Sequence, residues 1–242
     1  RKESSAASDV YKRQPHYKSN KQIYGWGPTI TEINYLSKIF TKINHIAPLY
    51  NSNPPASAKN YNSNKVVLIP IKPRGGKGLF NKIDILCGIS SQLILINRYC
   101  KSSDWVQFRA PTNMGIYVLP YLRYFSKKKY WVKYAGDWNF KTPPLSYKIQ
   151  RLWLKNNFNK SIVTINGEWK GQKNHVLSLD NPCLSKSEIS QSRSISKSKN
   201  FSGQLILCFV GLLSEKKGLE IFLKALEDLE NNNFIEMVYI VG

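Results

Sequence analysis

The run Leu205-Ile-Leu-Cys-Phe-Val-Gly-Leu-Leu-Ser-Glu-Lys-Lys-Gly-Leu-Glu-Ile-Phe-Leu-Lys-Ala-Leu226 constrains the fold more than any other stretch of this chain. Six apolar residues lead to Gly211, a short loop carries Lys216 and Lys217, and Leu219, Phe222, Leu223, Leu226 and Leu229 then recur at helical spacing. Strand, turn and helix in that order are half of a βαβ unit, which needs a parallel sheet. At such a turn the first backbone N–H groups of the helix have no partner within it and its dipole is positive, so phosphate is favoured there. Lys217 adds a mobile full charge.

Charge decides which partners to consider. The 242 residues hold 36 basic and 15 acidic side chains, a formal +21. Such a surfeit favours polyanions, whether nucleic acid, an anionic membrane leaflet or a phosphorylated sugar donor. The charge has no RNP aromatic run, zinc-finger spacing or basic-region heptad beside it, which argues against nucleic acid. With 42% hydrophobic residues the chain is expected to fold, as one large domain or two modest ones. The apolar run from Leu205 to Leu213 is far short of the roughly 20 residues that span a bilayer, so a cytosolic or peripheral protein is expected. Cys87, Cys100, Cys183 and Cys208 lack metal or disulfide spacing and are expected as buried, reduced thiols. His16, His45 and His175 are scattered, with no triad or metal spacing, and no metal is expected.

Taken in order, residues 1–14 look like translated adaptor read-through and are set aside as a non-native tail, leaving about +19 on the rest. Residues 15–184 read as one Rossmann-like domain. Lys18 to Gln22 is polar, so its first strand is expected to be missing. Tyr24-Gly-Trp-Gly-Pro-Thr29 is expected as a tight loop in which Gly25 and Gly27 let backbone approach an acceptor or a phosphate, with Trp26 as a stacking face; a plain turn before a helix fits equally. Thr29 and Glu32 have capping-box spacing for a helix from Thr29 to Phe40. Strands are expected at Ile43–Leu49 and Lys65–Ile71, and Lys72-Pro-Arg-Gly-Gly-Lys-Gly78 as a flexible basic loop rather than a P-loop. Phe80, Ile83, Leu86, Cys87 and Ile94 mark the apolar face of a long helix from Leu79.

Asp104-Trp-Val-Gln-Phe-Arg-Ala-Pro111 reads as a strand that puts Arg109 at its carboxyl end, where open α/β sheets collect ligands. An arginine there suits bidentate capture of phosphate or carboxylate, although a rim arginine paired with a neighbouring carboxylate fits as well. Tyr130–Tyr134 is a second such strand, followed by Asp137 and Trp138. These read either as a sugar-holding pair or as a capping aspartate beside a core tryptophan. In the helix from Leu145 to Phe158, Leu145, Ile149, Leu152 and Trp153 are expected inward and Lys148, Arg151 and Lys155 outward, as a solvated face or a stripe for anionic lipid. The Ser- and Lys-rich 185–203 reads as a linker or disordered loop, and 204–242 opens a second domain with a last strand from Phe234 to Val241.

Phe209-Val-Gly-Leu-Leu-Ser-Glu-Lys-Lys-Gly218 resembles the start of the C-terminal domain of family 4 retaining glycosyltransferases of the GT-B type, whose pattern is F-V-G-R-L, a few residues, E-K-G and a leucine-rich helix. Lys217 and Gly218 match it, and Leu212 stands where the family has an arginine. The resemblance implies two Rossmann-like α/β domains, an acceptor side in the first and a nucleotide-sugar in the second, with Gly211, Lys217 and Gly218 at the donor diphosphate. Arg109, Asp137, Trp138, Gly25 and Gly27 fall on the acceptor or sugar side. It implies sugar transfer with retention to a glycan or lipid-linked acceptor in cell-surface polysaccharide synthesis, without a cofactor or an obligatory metal. Many members have H-x-P where this chain has Arg109-Ala-Pro111, and an arginine cannot serve as a base at neutral pH. The family's acidic donor-site pair would follow Gly242, so the expectation is a truncated second domain and a fragment inactive by itself. The rival expectations are a non-catalytic basic module for nucleic acid or membrane, and a different GT-B enzyme or sugar epimerase.

Overall fold

The computed structural model describes residues 15–20, 22–74, 79–179, 184–211, 213, 217–229 and 234–241, leaving aside the side chains of 79–82. The tail 1–14, residues 75–78 of the basic loop, Cys183, Leu212, Lys216 and Gly242 lie outside the described residues. The chain forms two compact units, one ending at Cys183 and the other beginning at Leu184. Both are mixed α/β with parallel strand pairing.

In the first unit the strands gather into two sheets rather than one. Strands β1 (His16–Ser19), β2 (Gln22–Trp26), β3 (Ile43–Tyr50), β4 (Ala58–Asn60) and β5 (Val66–Ile71) form a mixed sheet in the order β4-β2-β1-β3-β5. β1 runs parallel to β3 and antiparallel to β2, and β3 is parallel to β5. A strand therefore stands at His16–Ser19, where the polar sequence led us to expect the opening strand to be missing. Asn20, in the left-handed region at φ 47°, follows it, a conformation that asparagine tolerates better than most residues. β4, also unforeseen, sits in the Asn- and Ser-rich loop and pairs antiparallel with β2. Pro70 is tolerated because β5 is an edge strand, where a missing N–H breaks no ladder.

The second sheet is wholly parallel, in the order β6 (Trp105–Ala110), β7 (Lys129–Tyr134), β8 (Val163–Ile165) and β9 (Val176–Ser178). Among the described residues, the unit's helices are α1 (Gly27–Leu36), α2 (Leu79–Lys101), α3 (Gly115–Tyr124) and α4 (Leu145–Lys155). Val132, Val163, Ile165, Leu119 and Leu154 are essentially without solvent exposure and form the core with Trp138 and Val176. At about 1.5–3 kcal/mol for each fully buried aliphatic side chain, this cluster is the main support of the sheet. Ile96, Cys100, Val118 and Leu122 make a second cluster between α2 and α3.

Two helices turn the face expected to be inward toward solvent. On α2, Ile83, Leu86, Cys87 and Ile94 are exposed, while Gln92, Ile96 and Cys100 are buried; the side chain of Phe80 lies outside the described residues. On α4, Tyr147, Gln150 and Leu154 are buried and Leu145, Ile149 and Leu152 are exposed, while Trp153 packs against the core as expected and Arg151 and Lys155, expected outward, are half-buried. Specific polar bonds fix these orientations. The Tyr117 hydroxyl donates to Gln92, and Gln150 both donates to the Thr112 carbonyl at 2.7 Å and accepts from the Thr112 N–H at 3.2 Å. Of the cysteines among the described residues, only Cys100 is buried; Cys87 and Cys208 are exposed.

The second unit contains a βαβ: β10 (Leu205–Val210) parallel to β11 (Ile235–Val241), with α6 (Leu219–Glu227) between them in sequence. Phe209 and Phe222 hold the helix to the strand with ring centroids 5.5 Å apart. Before it, the stretch expected as a linker or disordered loop carries helix α5 (Lys186–Ser198). The reason is local. Ser185 accepts from the Glu188 N–H at 3.2 Å and the Glu188 carboxylate takes the Ser185 N–H at 2.6 Å, a complete capping box. None of its residues is buried.

Candidate functional site

A cavity of about 530 Å³ opens in the first unit, lined by residues of α1, β3, α2, β6 and α3, among them Trp26, Glu32, His45, Arg109 and Thr112. Two helix N-termini contribute to its wall: Trp26 and Thr29 from α1, and Thr112, Asn113 and Met114 from α3. Neither helix has a side-chain cap bond or an acidic residue in its first turn, so each presents an uncompensated positive end. The expected capping box is not formed. Pro28 starts α1 two residues earlier, as prolines do in a first helical turn, which leaves Thr29 inside the helix with a buried hydroxyl lacking a partner.

Glu32 turns instead to the neighbouring sheet. Its carboxylate binds Arg109 Nη1, lies 3.0 Å from Lys133 Nζ and accepts from Gln107 Nε2 at 3.2 Å. Arg109 and Lys133 are register partners on β6 and β7, so two like charges stand side by side and the carboxylate offsets their repulsion. Arg109 is thus paired with a carboxylate, as one of its two readings held, while its place on the cavity wall keeps it beside any ligand there. Lys133 was not singled out by sequence. A lysine inside an apolar central parallel strand requires a buried partner, and that is the signal that marks it.

Sequence reasoning also missed a histidine pair. His16 and His45, on the paired strands β1 and β3, lie with ring centroids 4.9 Å apart. The Tyr61 hydroxyl bridges them, 2.6 Å from His45 Nδ1 and 3.0 Å from His16 Nε2. Removal from water, with the nearby His16 and Arg109 charges adding to it, pushes His45 down to about 3. Burial likewise pushes the Tyr61 hydroxyl up. With both rings neutral the hydroxyl donates to one and accepts from the other. Protonating both leaves its own hydrogen unmatched. His175 is elsewhere, its Nε2 2.8 Å from the Leu154 carbonyl.

The remaining residues expected on the acceptor side do not gather here. Gly25 lies within β2, not in a loop, and a Cβ on it would come 2.6 Å from His16 Nε2 and 2.7 Å from Ile30 Cδ1. Gly27 is the first residue of α1, where a Cβ would meet the Ser57 carbonyl oxygen at 2.8 Å. Close packing, not backbone offered to a ligand, accounts for both glycines. Gly25→Ala is expected to destabilise the protein by about 1–3 kcal/mol through overpacking against two buried side chains, read as a lowered urea midpoint. Trp138 is a core residue, T-shaped against Tyr134 at 5.0 Å, with the Lys155 ammonium 5.6 Å from its ring centre. Asp137 accepts the Asn139 N–H at 2.9 Å and closes a turn. The pair is therefore a turn aspartate beside a buried indole, because the tryptophan ring finds apolar cover in the sheet.

In the second unit Gly218 caps α6 in the left-handed conformation, φ 76°, with no side-chain cap bond and open space where a Cβ would point. Lys217 is exposed beside it, and its aliphatic stem passes close to Gly211. The Gly211 N–H is taken by the Val241 carbonyl at 2.9 Å, so Gly211 extends the β10–β11 ladder and has no amide to offer a phosphate. Among the described residues no three His, Cys, Asp or Glu side chains gather as a metal-binding set. No protein-family model and no curated protein matches the sequence.

Proposed function

We propose that the chain is part of a GT-B glycosyltransferase of the family 4 kind, which transfers a sugar from a nucleotide-sugar to a glycan or lipid-linked acceptor. The observation that carries this reading is the start of α6. A helix N-terminus without a side-chain cap, whose first-turn Glu220 is paired with Lys224 at 3.1 Å, follows a left-handed glycine and an exposed lysine, at the carboxyl end of a strand in a parallel βαβ unit. Backbone N–H groups and a lysine at that position favour the charge that develops on a leaving diphosphate. On the acceptor side, the cavity with Arg109, Trp26 and two positive helix ends suits a polar or anionic group beside an aromatic face. Retention without an obligatory metal follows the same resemblance.

Lys217→Ala is expected to lower nucleotide-sugar turnover about 10²-fold, measured as release of nucleoside diphosphate. Unchanged turnover removes Lys217 from the site. The competing reading, a polyanion-binding module without catalysis, predicts steeply salt-dependent binding to polyphosphate and indifference to nucleotide-sugars.

A further inference from the structure

The outer side of α1 carries a second groove, of about 500 Å³, and no residue lines both it and the Arg109 cavity. Thr31, Asn34 and Tyr35 on α1, and Lys38 just beyond its end, follow one another at i, i+3, i+4 and i+7 along one wall, opposite buried Ile33. The facing wall is β4. Asn60 is the register partner of Tyr24 on β2, so the amide and the ring leave the sheet side by side. Asn34 Oδ1 accepts the Asn62 N–H at 3.2 Å, which ties the chain after β4 to the helix and sets the width of the groove.

The groove offers polar groups that the fold does not use. Among the described residues the side chains of Lys59, Asn60 and Asn62 make no hydrogen bond, and Lys38 and Lys59 have no ion-pair partner. None of the described lining residues is acidic. Tyr35 is 44% exposed, and the Lys38 ammonium stands 4.7 Å from its ring centre, so a cation and an aromatic face share one position. Carboxamides and a threonine hydroxyl can each donate to and accept from sugar hydroxyls, a tyrosine ring covers the apolar face of a pyranose, and lysines select for negative charge. We infer that this groove binds an oligosaccharide in which uronic acid units stand among neutral sugars. Tyr24 and Tyr35 lie against sugar rings, the asparagines bond hydroxyls, and Lys38 and Lys59 meet carboxylates. A single-stranded nucleic acid also uses stacking rings and cations, but it carries a phosphate at every nucleotide, and here three asparagines stand beside only two lysines. The groove shares nothing with Lys217 or Arg109, so this inference holds or fails without the glycosyltransferase reading.

The test is isothermal titration of the protein with a hyaluronan hexasaccharide and an unsulfated chondroitin hexasaccharide, in which charged and neutral sugars alternate, beside neutral maltohexaose. The expected result is saturable one-to-one binding of at least one acidic hexasaccharide, about tenfold or more tighter than maltohexaose. Tyr35→Ser/Asn60→Ala should weaken that binding about tenfold or more. Lys38→Gln/Lys59→Gln should remove the preference for the acidic sugar. Both variants should keep the parental urea midpoint, because all four side chains are exposed. Lys127→Gln/Lys148→Gln, the same loss of charge outside the groove, should bind as the parent does. Four results overturn the inference. They are no saturable binding of either acidic hexasaccharide, parental affinity in Tyr35→Ser/Asn60→Ala, an equal loss in Lys127→Gln/Lys148→Gln, and displacement of the acidic sugar by a lower concentration of a six-nucleotide oligo(dT). The third assigns the binding to the overall charge of +21, and the fourth assigns the groove to nucleic acid.

Discussion

Glu32→Ala is expected to destabilise the first unit by about 3–5 kcal/mol, among the largest effects available to a single substitution in this chain. The Lys133 side chain has 0% exposure and Glu32 only 9%, so the carboxylate neutralises charge where water cannot. It also ties α1 to β6 and β7 through Arg109, Gln107 and Lys133. Removing the carboxylate leaves Arg109 and Lys133 adjacent and uncompensated. Removing one charge on each side is milder, because only Arg109, which is not fully buried, then lacks its counter-charge, and the repulsion between Arg109 and Lys133 is gone. The double variant Glu32→Leu/Lys133→Met is therefore expected to be more stable than Glu32→Ala, despite changing two buried positions. Urea unfolding followed by tryptophan fluorescence measures both. A loss below about 1 kcal/mol for Glu32→Ala, or a double variant worse than the single, means that the network does not hold these elements together.

Acid should destabilise the same unit well before its carboxylates titrate. His45 has an ordinary value near 6.5 and is held down to about 3 in the folded protein by burial, His16 and Arg109. Below pH 6.5 the unfolded chain takes up a proton that the folded chain does not. The stabilisation is thus complete above about pH 6.5 and is lost progressively as pH falls toward 3, by on the order of a few kcal/mol. His45→Gln can still hydrogen-bond Tyr61 and cannot be protonated in this range. It is expected to flatten the decline in urea midpoint between pH 7 and 4. Parallel profiles for parent and variant would place the acid sensitivity elsewhere.

Where chain order and local pattern decide structure, the sequence was legible. The strands at β3, β5, β6, β7 and β10 and the βαβ at the end all follow from periodicity and turn residues. What it did not reveal were choices made by tertiary partners. Both faces of α4 are apolar, and periodicity cannot say which is inward; the paired bonds of Gln150 to Thr112 decide it. β1 is short and polar, and it exists because β2 and β3 supply its ladder. α5 was hidden by its composition although the Ser185-x-x-Glu188 signature was present. The candidate residues of the two units divide in the same way. Lys217, Gly218 and Arg109 are visible as residues at strand ends, whereas Glu32 with Lys133, and His16 with His45, meet only through sheet register and helix docking. Trp138 illustrates the opposite error, a polar-aromatic pair that reads like a sugar platform until the ring is placed in the core.

The central claim is that the start of α6 holds a nucleoside diphosphate. Isothermal titration of the protein with UDP, GDP and ADP in turn, beside Lys217→Ala, tests it most directly. The account predicts saturable one-to-one binding of at least one of these, weakened about tenfold or more by the substitution. Binding that is equally tight in Lys217→Ala, or no saturable binding of any of the three, contradicts it.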